Sequence, residues 1–176
     1  MRVIAGKHRG RVLAEFKGKD IRPTSDRAKE AVFNILQTII GGSDFLDLYC
    51  GSGNMGIEAL SRGANSTFVD KSPESVALTK KNLEKIKENA PVYTSDALSF
   101  INSVKVKFDV IFLDPPYKDN AEEVLKSIIR CGVLKSDGII IYEHSGESRD
   151  AEGLERYDTR KYGVATFDFY RTEVLK

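Results

Sequence analysis

The run Phe45 to Gly56, FLDLYCGSGNMG, constrains the fold of this chain more than any other stretch. Phe45-Leu46-Asp47-Leu48-Tyr49 is a short apolar run, as expected of a buried strand in a parallel sheet. Cys50-Gly51-Ser52-Gly53 interrupts it with two glycines, and Asn54 to Leu60 resumes with apolar residues at helical spacing. A strand, a Gly-rich turn and a helix in that order form a cradle for a nucleotide-type cofactor. Glycines let backbone approach a ligand closely, and free N–H groups at the helix start face it.

Two cofactors could use such a cradle. Gly51-Ser52-Gly53-Asn54-Met55-Gly56 matches the dinucleotide pattern G-x-G-x-x-G, with Asp70 about 20 residues further on. The competing feature is Asp47, an acid inside the strand. A pyrophosphate gains nothing from a carboxylate there, whereas the sulfonium and amino group of S-adenosylmethionine (SAM) are attracted to one.

The 176 residues suit one domain with a single sizeable core. No apolar run approaches the roughly 20 residues of a membrane helix, and Met1 opens a charged segment without a signal-peptide pattern. Cys50 and Cys131 make no disulfide framework, and no Cys/His spacing suggests zinc. The expectation is a cytoplasmic, metal-free protein, with nothing in the pattern demanding more than a monomer. Charge is uneven: residues 1–30 hold nine Lys/Arg against four acids, a net of +5, while the whole chain is only +1. A basic end on an acidic body suggests contact with phosphates; the alternative is a solvated hairpin that aids solubility.

In chain order, Arg2 to Leu13 alternates around Gly6 and Gly10, suggesting a small hairpin. Pro23 disfavours helix at Arg22, and Thr24 or Ser25 can cap the helix that follows. Its expected apolar face is Ala28, Ala31, Val32, Ile35, Leu36 and Ile39, with Gly41-Gly42 ending it. Further strands are expected at Ser66 to Val69, Pro91 to Tyr93, Phe108 to Leu113 and Gly138 to Tyr142. Helices begin at Ser72-Pro73-Glu74, with a lysine-rich outer face, and near Ala121. Arg156 to Tyr162 and Val164 to Tyr170 look like a closing antiparallel hairpin. Strands alternating with helices imply an open α/β sheet, whose ligand sits at the carboxyl ends of the strands. Asp47, Asp70, Asp96 and Asp114 all fall near those ends.

Asp114-Pro115-Pro116-Tyr117 is the most specific element. Two prolines fix the backbone and remove two donors, leaving carbonyls as acceptors. With a carboxylate before them and an aromatic ring after, they suit a flat group bearing an NH₂. The amino group would donate to Asp114 and the Pro115 carbonyl, with Tyr117 stacked on the ring. A proline-rich turn closing a strand is the plainer reading.

Together with the D-x-x-x-G-x-G loop, this element resembles the signature of SAM-dependent methyltransferases acting on exocyclic amino groups. VIAGKHRGRVL, IRPTSDRAKEAVFNIL and FLDLYCGSGNMGIEALSRGA resemble the RsmD family, the 16S rRNA (guanine(966)-N(2))-methyltransferases of the bacterial small ribosomal subunit. The resemblance runs from Arg2 to Tyr117 and more loosely beyond; Ala14-Glu15-Phe16 lacks a proline usual there, and Tyr49-Cys50 replaces a more usual Phe-Ala. It implies a Rossmann-like class I methyltransferase at 23–176, with a mostly parallel seven-stranded sheet and a C-terminal antiparallel hairpin. Residues 1–22 would be a basic β-hairpin extension.

The resemblance also implies roles for single residues. Asp47 and the backbone at Gly51 and Gly53 would hold the methionine part of SAM and Asp70 the ribose, with Tyr49, Ser52, Asn54 and Lys71 also among the cofactor-binding residues. Asp96 and Ala97 would meet the adenine, and S-adenosylhomocysteine would be the product. Asp114, Pro115, Pro116 and Tyr117 would present a guanine N2 amino group, unstacked from the RNA. Lys7, His8, Arg9, Arg11, Arg22 and Arg27 would contact 16S rRNA within the small subunit or an assembly intermediate. Asp70 and Asp96 could instead be only helix caps. Cys50 reads as a packing residue, since amino-group methylation needs no covalent enzyme intermediate. Adenine N6 or cytosine N4 of DNA or RNA is the alternative target; an NAD-dependent oxidoreductase or a non-catalytic RNA-binding module are the remaining rivals.

Overall fold

The computed structural model describes residues 1–17 and 23–173. Its elements in chain order are α1 (Asp26–Ile35), β1 (Asp44–Leu48), α2 (Asn54–Ser61), β2 (Asn65–Asp70), α3 (Pro73–Lys85), β3 (Val92–Thr94), α4 (Ala97–Ser103), β4 (Phe108–Leu113), α5 (Ala121–Cys131), β5 (Leu134–His144), β6 (Leu154–Tyr162) and β7 (Ala165–Thr172). The strands form one seven-stranded sheet, ordered β3-β2-β1-β4-β5-β7-β6. Pairings through β5 are parallel, and β7 runs antiparallel to both β5 and β6. The chain winds outward from β1 to β3 and then returns to place β4 on β1's other side. That switch point opens a crevice beyond the carboxyl ends of β1 and β4, where ligands of such sheets bind.

Side chains alternate along each strand, so the sheet divides two cores. Leu46, Leu48, Ile111, Leu113 and Ile140 face α4 and α5. Phe45, Val110, Phe112 and Ile141 face α1 and α2, where Phe33 stacks on Phe45 with ring centroids 6.1 Å apart. Full burial of each such side chain contributes about 1.5–3 kcal/mol. The first residues double back, with Arg2 bridging Val12, and bury Val3 and Leu13 against Ile57, Phe68, Leu83 and Ile86. The Ile4 and Ala5 N–H groups donate to the buried Glu58 carboxylate at 2.8 and 3.0 Å. The basic hairpin is thus stitched to α2.

Three expectations change. The inward face of α1 is Ala28, Lys29, Val32 and Phe33, continued by Leu36 and Ile40; Ile35 and Ile39 are exposed. The helix ends at Ile35, before the glycines, because Leu36 already caps it. Helix α4 is the second: it entered only through the alternative reading of Asp96 as a helix cap, because seven residues are too few for a periodic signal, and Asp96 does cap it by accepting from Ser99 N–H. Lys29 is the third. It belongs to the basic end by sequence, yet it is fully buried with Glu58, 3.4 Å from its carboxylate, so its charge adds nothing to the surface. Among the described residues no helix is long and apolar enough to cross a membrane.

Candidate active site

The crevice is floored by β1. Asp47 is buried, and its Oδ2 accepts from the Gly56 N–H at 2.8 Å, in the first turn of α2. Burial pushes its carboxyl up to about 7; the Gly56 bond opposes this, and the charges of Asp114 and Asp70 add to it. After the strand, Tyr49 takes a φ of 131°, unusual for a residue with a Cβ, while Tyr49 and Cys50 both donate to the Val69 carbonyl at 3.0 Å. Such a conformation costs about 1–3 kcal/mol and persists only where neighbours dictate it. Here it turns the chain sharply from strand into cradle.

The three glycines of that cradle serve different ends. Gly51 has a φ of +54° and faces open space: an added Cβ would meet only the Phe16 ring, at 3.9 Å. Gly53 has a φ of +81° and sits against Thr79 and Ile57, so its role is the turn. Gly56 packs on Phe68, where a Cβ would lie 2.3 Å from a ring carbon. The spacing alone could not separate these roles.

Asp70 is not the cap of α3, a role that falls to Ser72, which accepts from the Ser75 N–H. One Asp70 carboxylate oxygen accepts from Gly51 N–H at 3.0 Å and the other from Ser72 N–H at 2.8 Å, tying the cradle to the start of α3. Asp96 caps α4 and is exposed, its carboxyl held low by the Ser99 bonds; Ala97 beside it is buried. Lys71 reaches Asp119 at 3.1 Å, linking the ends of β2 and the β4 loop. Ser52 lends its carbonyl to Asn82 at 2.9 Å. Asn54 is buried, accepting from Lys29 at 2.7 Å and donating to the Thr24 carbonyl at 3.3 Å. The Cys50 thiol is buried beside Thr79 and pushed up by that burial, which disfavours the thiolate.

Asp114 follows β4 and lines a cavity of about 170 Å³, whose other walls include Phe16, Thr24, Asp47, Gly51 and Asn54; Pro115, Pro116 and Tyr117 continue the chain beyond that lining. Asp114 is open to solvent on the mouth side, while protein around the rest of it pushes its carboxyl up by desolvation. The open side makes that push weaker than for Asp47. Tyr117 is 90% exposed, its hydroxyl against the Ser145 side chain. A larger cavity, about 510 Å³, lies at the opposite, amino ends of β1, β2 and β4, among Lys7, Asp44, Asn65 and Glu88. None of the cradle residues touches it.

Sequence reasoning missed Glu143. Leu113 pairs with Tyr142, so Asp114 and Glu143 leave adjacent strands side by side. Glu143 accepts from the Thr24 hydroxyl at 2.6 Å, and both residues are buried. Burial, then the charge of Asp114, push its carboxyl up, while Thr24 opposes them and Asp47 adds a smaller push. The available signal was an acid ending a buried apolar strand, the same pattern that marks Asp47 and Asp114.

Of the six residues expected to meet RNA, Arg9, Arg11 and Arg27 are exposed, and Lys7 and His8 both touch Glu88. Arg22 lies outside the described residues.

Residues 1–171 match the protein family described as conserved hypothetical protein 95. The chain is 38% identical to YlbH of Bacillus subtilis, named as a proposed rRNA methyltransferase, over 97% of this chain and 98% of that one. It is 39% identical to ribosomal RNA small subunit methyltransferase D of Haemophilus influenzae, over 81% and 78% of the two chains. Its backbone superimposes on that of yhhF of Escherichia coli, named as a proposed methyltransferase, with a TM-score of 0.87, 30% identity and 98% of each chain covered. By family match, relatives and backbone together, this chain belongs to the RsmD family.

Proposed function

We propose that this chain transfers a methyl group from SAM to the N2 amino group of a guanine in the 16S rRNA of the small ribosomal subunit. The observation that carries the reading is that Asp114, at the start of the Asp-Pro-Pro-Tyr element, lines the same cavity as Asp47 and the cradle residues Gly51 and Ser52. The residues present fit SAM. Asp47 is a buried carboxylate with no cation paired to it among the described residues, and Gly51 leaves space where a side chain would block the ligand. Bound there, SAM supplies a methyl group made electrophilic by its sulfonium.

The chain's own residues then orient the acceptor. Asp114 and the Pro115 carbonyl accept from the amino N–H bonds, drawing the nitrogen lone pair out of conjugation, and the exposed Tyr117 ring closes over the base. Orientation of this kind is worth several kcal/mol without any strong base. The choice of guanine over adenine or cytosine rests on the RsmD-family motifs along the first two thirds of the chain.

The test is transfer from labelled SAM to small subunits lacking the modification, followed by nucleoside analysis. Label in N2-methylguanosine supports the reading, and Asp114→Ala abolishes it. Label in methyladenosine or methylcytidine overturns the base assignment.

A further inference from the structure

The lysine-rich outer face of α3 has no part in the cavity, yet the fold places it beside the basic hairpin. Asn82, buried on the inner side of α3, clasps one backbone unit of that hairpin. Its Oδ1 accepts from Ala14 N–H at 2.7 Å, and its Nδ2 donates to the Ala14 carbonyl at 3.1 Å. Val3 and Leu13 pack on Leu83 and Ile86 around it. Two segments whose joining residues lie 68 positions apart become one surface.

That surface carries Arg9, Arg11 and Lys17 from the hairpin and Lys80, Lys81, Lys85 and Lys87 from α3 and its end, all exposed. Among the described residues none of the seven has an ion-pair partner. Elsewhere, Lys71 pairs with Asp119, Lys126 with Glu122, and Lys135 with Asp44 and Asp109, while Lys105, Lys107, Lys118 and Lys161, unpaired among the described residues, lie scattered along the chain rather than on one helix and its neighbouring hairpin. Two nearby acids are already engaged: Glu88 is held by Lys7 and His8, and Glu15 by the Met1 amino group. Glu74 and Glu84, both exposed on α3, offset at most two charges of the seven. The hairpin and the helix therefore present a net excess of unpaired positive charge.

We propose that the α3 lysines and the hairpin arginines form one phosphate-binding strip that grips the RNA away from the target base. The strip rests on the reading of this protein as an rRNA-modifying enzyme. Its composition points to a polyanion, because protein–protein interfaces are depleted in lysine, whereas neutralising phosphates with Lys and Arg releases counterions and drives binding. A helix of thirteen residues is about 20 Å long, so the strip spans several nucleotides. A competing role for Lys85 alone is favourable interaction with the carboxyl end of the helix dipole; it predicts a stability effect without an RNA effect.

The experiment is equilibrium binding of the intact protein to a naked 16S rRNA fragment across a salt series, comparing the native chain, Lys81→Glu/Lys85→Glu, and Lys126→Glu on α5 as control. Direct binding needs no turnover, so it reads the strip even if no RNA is methylated; failure of methyl transfer by the native chain speaks only to the proposed function. The double variant is expected to bind at least about 10-fold more weakly near physiological salt. Its log–log salt slope should fall by about 0.7–0.9 for each phosphate that is no longer neutralised. In turnover on small subunits, KM should rise while kcat at saturation and SAM affinity stay unchanged. The Lys126→Glu control should match the native chain. Unchanged affinity and slope in the double variant overturn the proposal. So does a defect seen only with protein-containing particles while naked RNA binds normally, which would assign the strip to an acidic protein.

Discussion

Replacing Lys29 with methionine should destabilise the protein by about 3–5 kcal/mol, the range for breaking a buried ion pair by removing one partner. The ammonium is fully buried, touching the Arg2 carbonyl at 2.5 Å, Asn54 Oδ1 at 2.7 Å and Glu58 at 3.4 Å. Burial lowers its pKa despite the opposing pull of Glu58. Methionine conserves much of the volume, so the loss is electrostatic rather than a cavity. Glu58 keeps Arg62 at 2.8 Å and the Ile4 and Ala5 N–H groups, which points to the lower half of the range. The orphaned Arg2 carbonyl and Asn54 oxygen, at about 1–3 kcal/mol each, push it back up. At this chain length 1 kcal/mol shifts Tm by roughly 2–4 °C, so the fall should be about 10 °C. Urea unfolding and thermal melts of the Lys29→Met and native proteins read it directly. A loss under about 1 kcal/mol would refute the argument that Lys29 clamps the first residues to α1 and α2.

Asp47 carries a pH prediction. Its folded carboxyl sits at about 7, above the usual unfolded value near 3.9. The folded state therefore binds the proton more tightly, and the associated stability is present below about pH 4 and lost as pH rises through about 7. From pH 5 to 8 the protein should lose up to about 3 kcal/mol from this group at 1.36 kcal/mol per pH unit; a Tm that climbs over that interval contradicts the assignment. Gly56→Ala forces a Cβ to 2.3 Å from Phe68 and should cost about 1–3 kcal/mol by overpacking, measured as a lower denaturation midpoint with cofactor affinity reduced alongside; a neutral result would mean that α2 shifts freely over β2.

The path from strand to cradle was legible because it is local. A short apolar run, two glycines and a helical period lie within twelve consecutive residues, and each signal depends only on near neighbours. The acids ending β1, β2 and β4 were legible for the same reason. Helix α4 showed only as a cap at Asp96 because seven residues hold too little periodicity, and the face of α1 was misjudged because Ile35 and Ile39 fit the pattern but point away from the core. The resemblance to the RsmD family, carried by motifs along the first two thirds of the chain, matches the family to which residues 1–171 belong.

What the chain could not declare by itself are the meetings between distant residues. Thr24 and Glu143 are 119 positions apart and share a 2.6 Å hydrogen bond. Lys29 reads as one more surface cation until α1 closes over Glu58. The lysines of α3 join the hairpin only through Asn82 and Ala14. Periodicity and turn chemistry are properties of adjacent residues, so sequence alone determines which segments become strand, turn and helix. Burial of a charge, and the company it keeps, depend on which surfaces the sheet order β3-β2-β1-β4-β5-β7-β6 brings together. Desolvation is a property of that packing, and only the tertiary structure decides it.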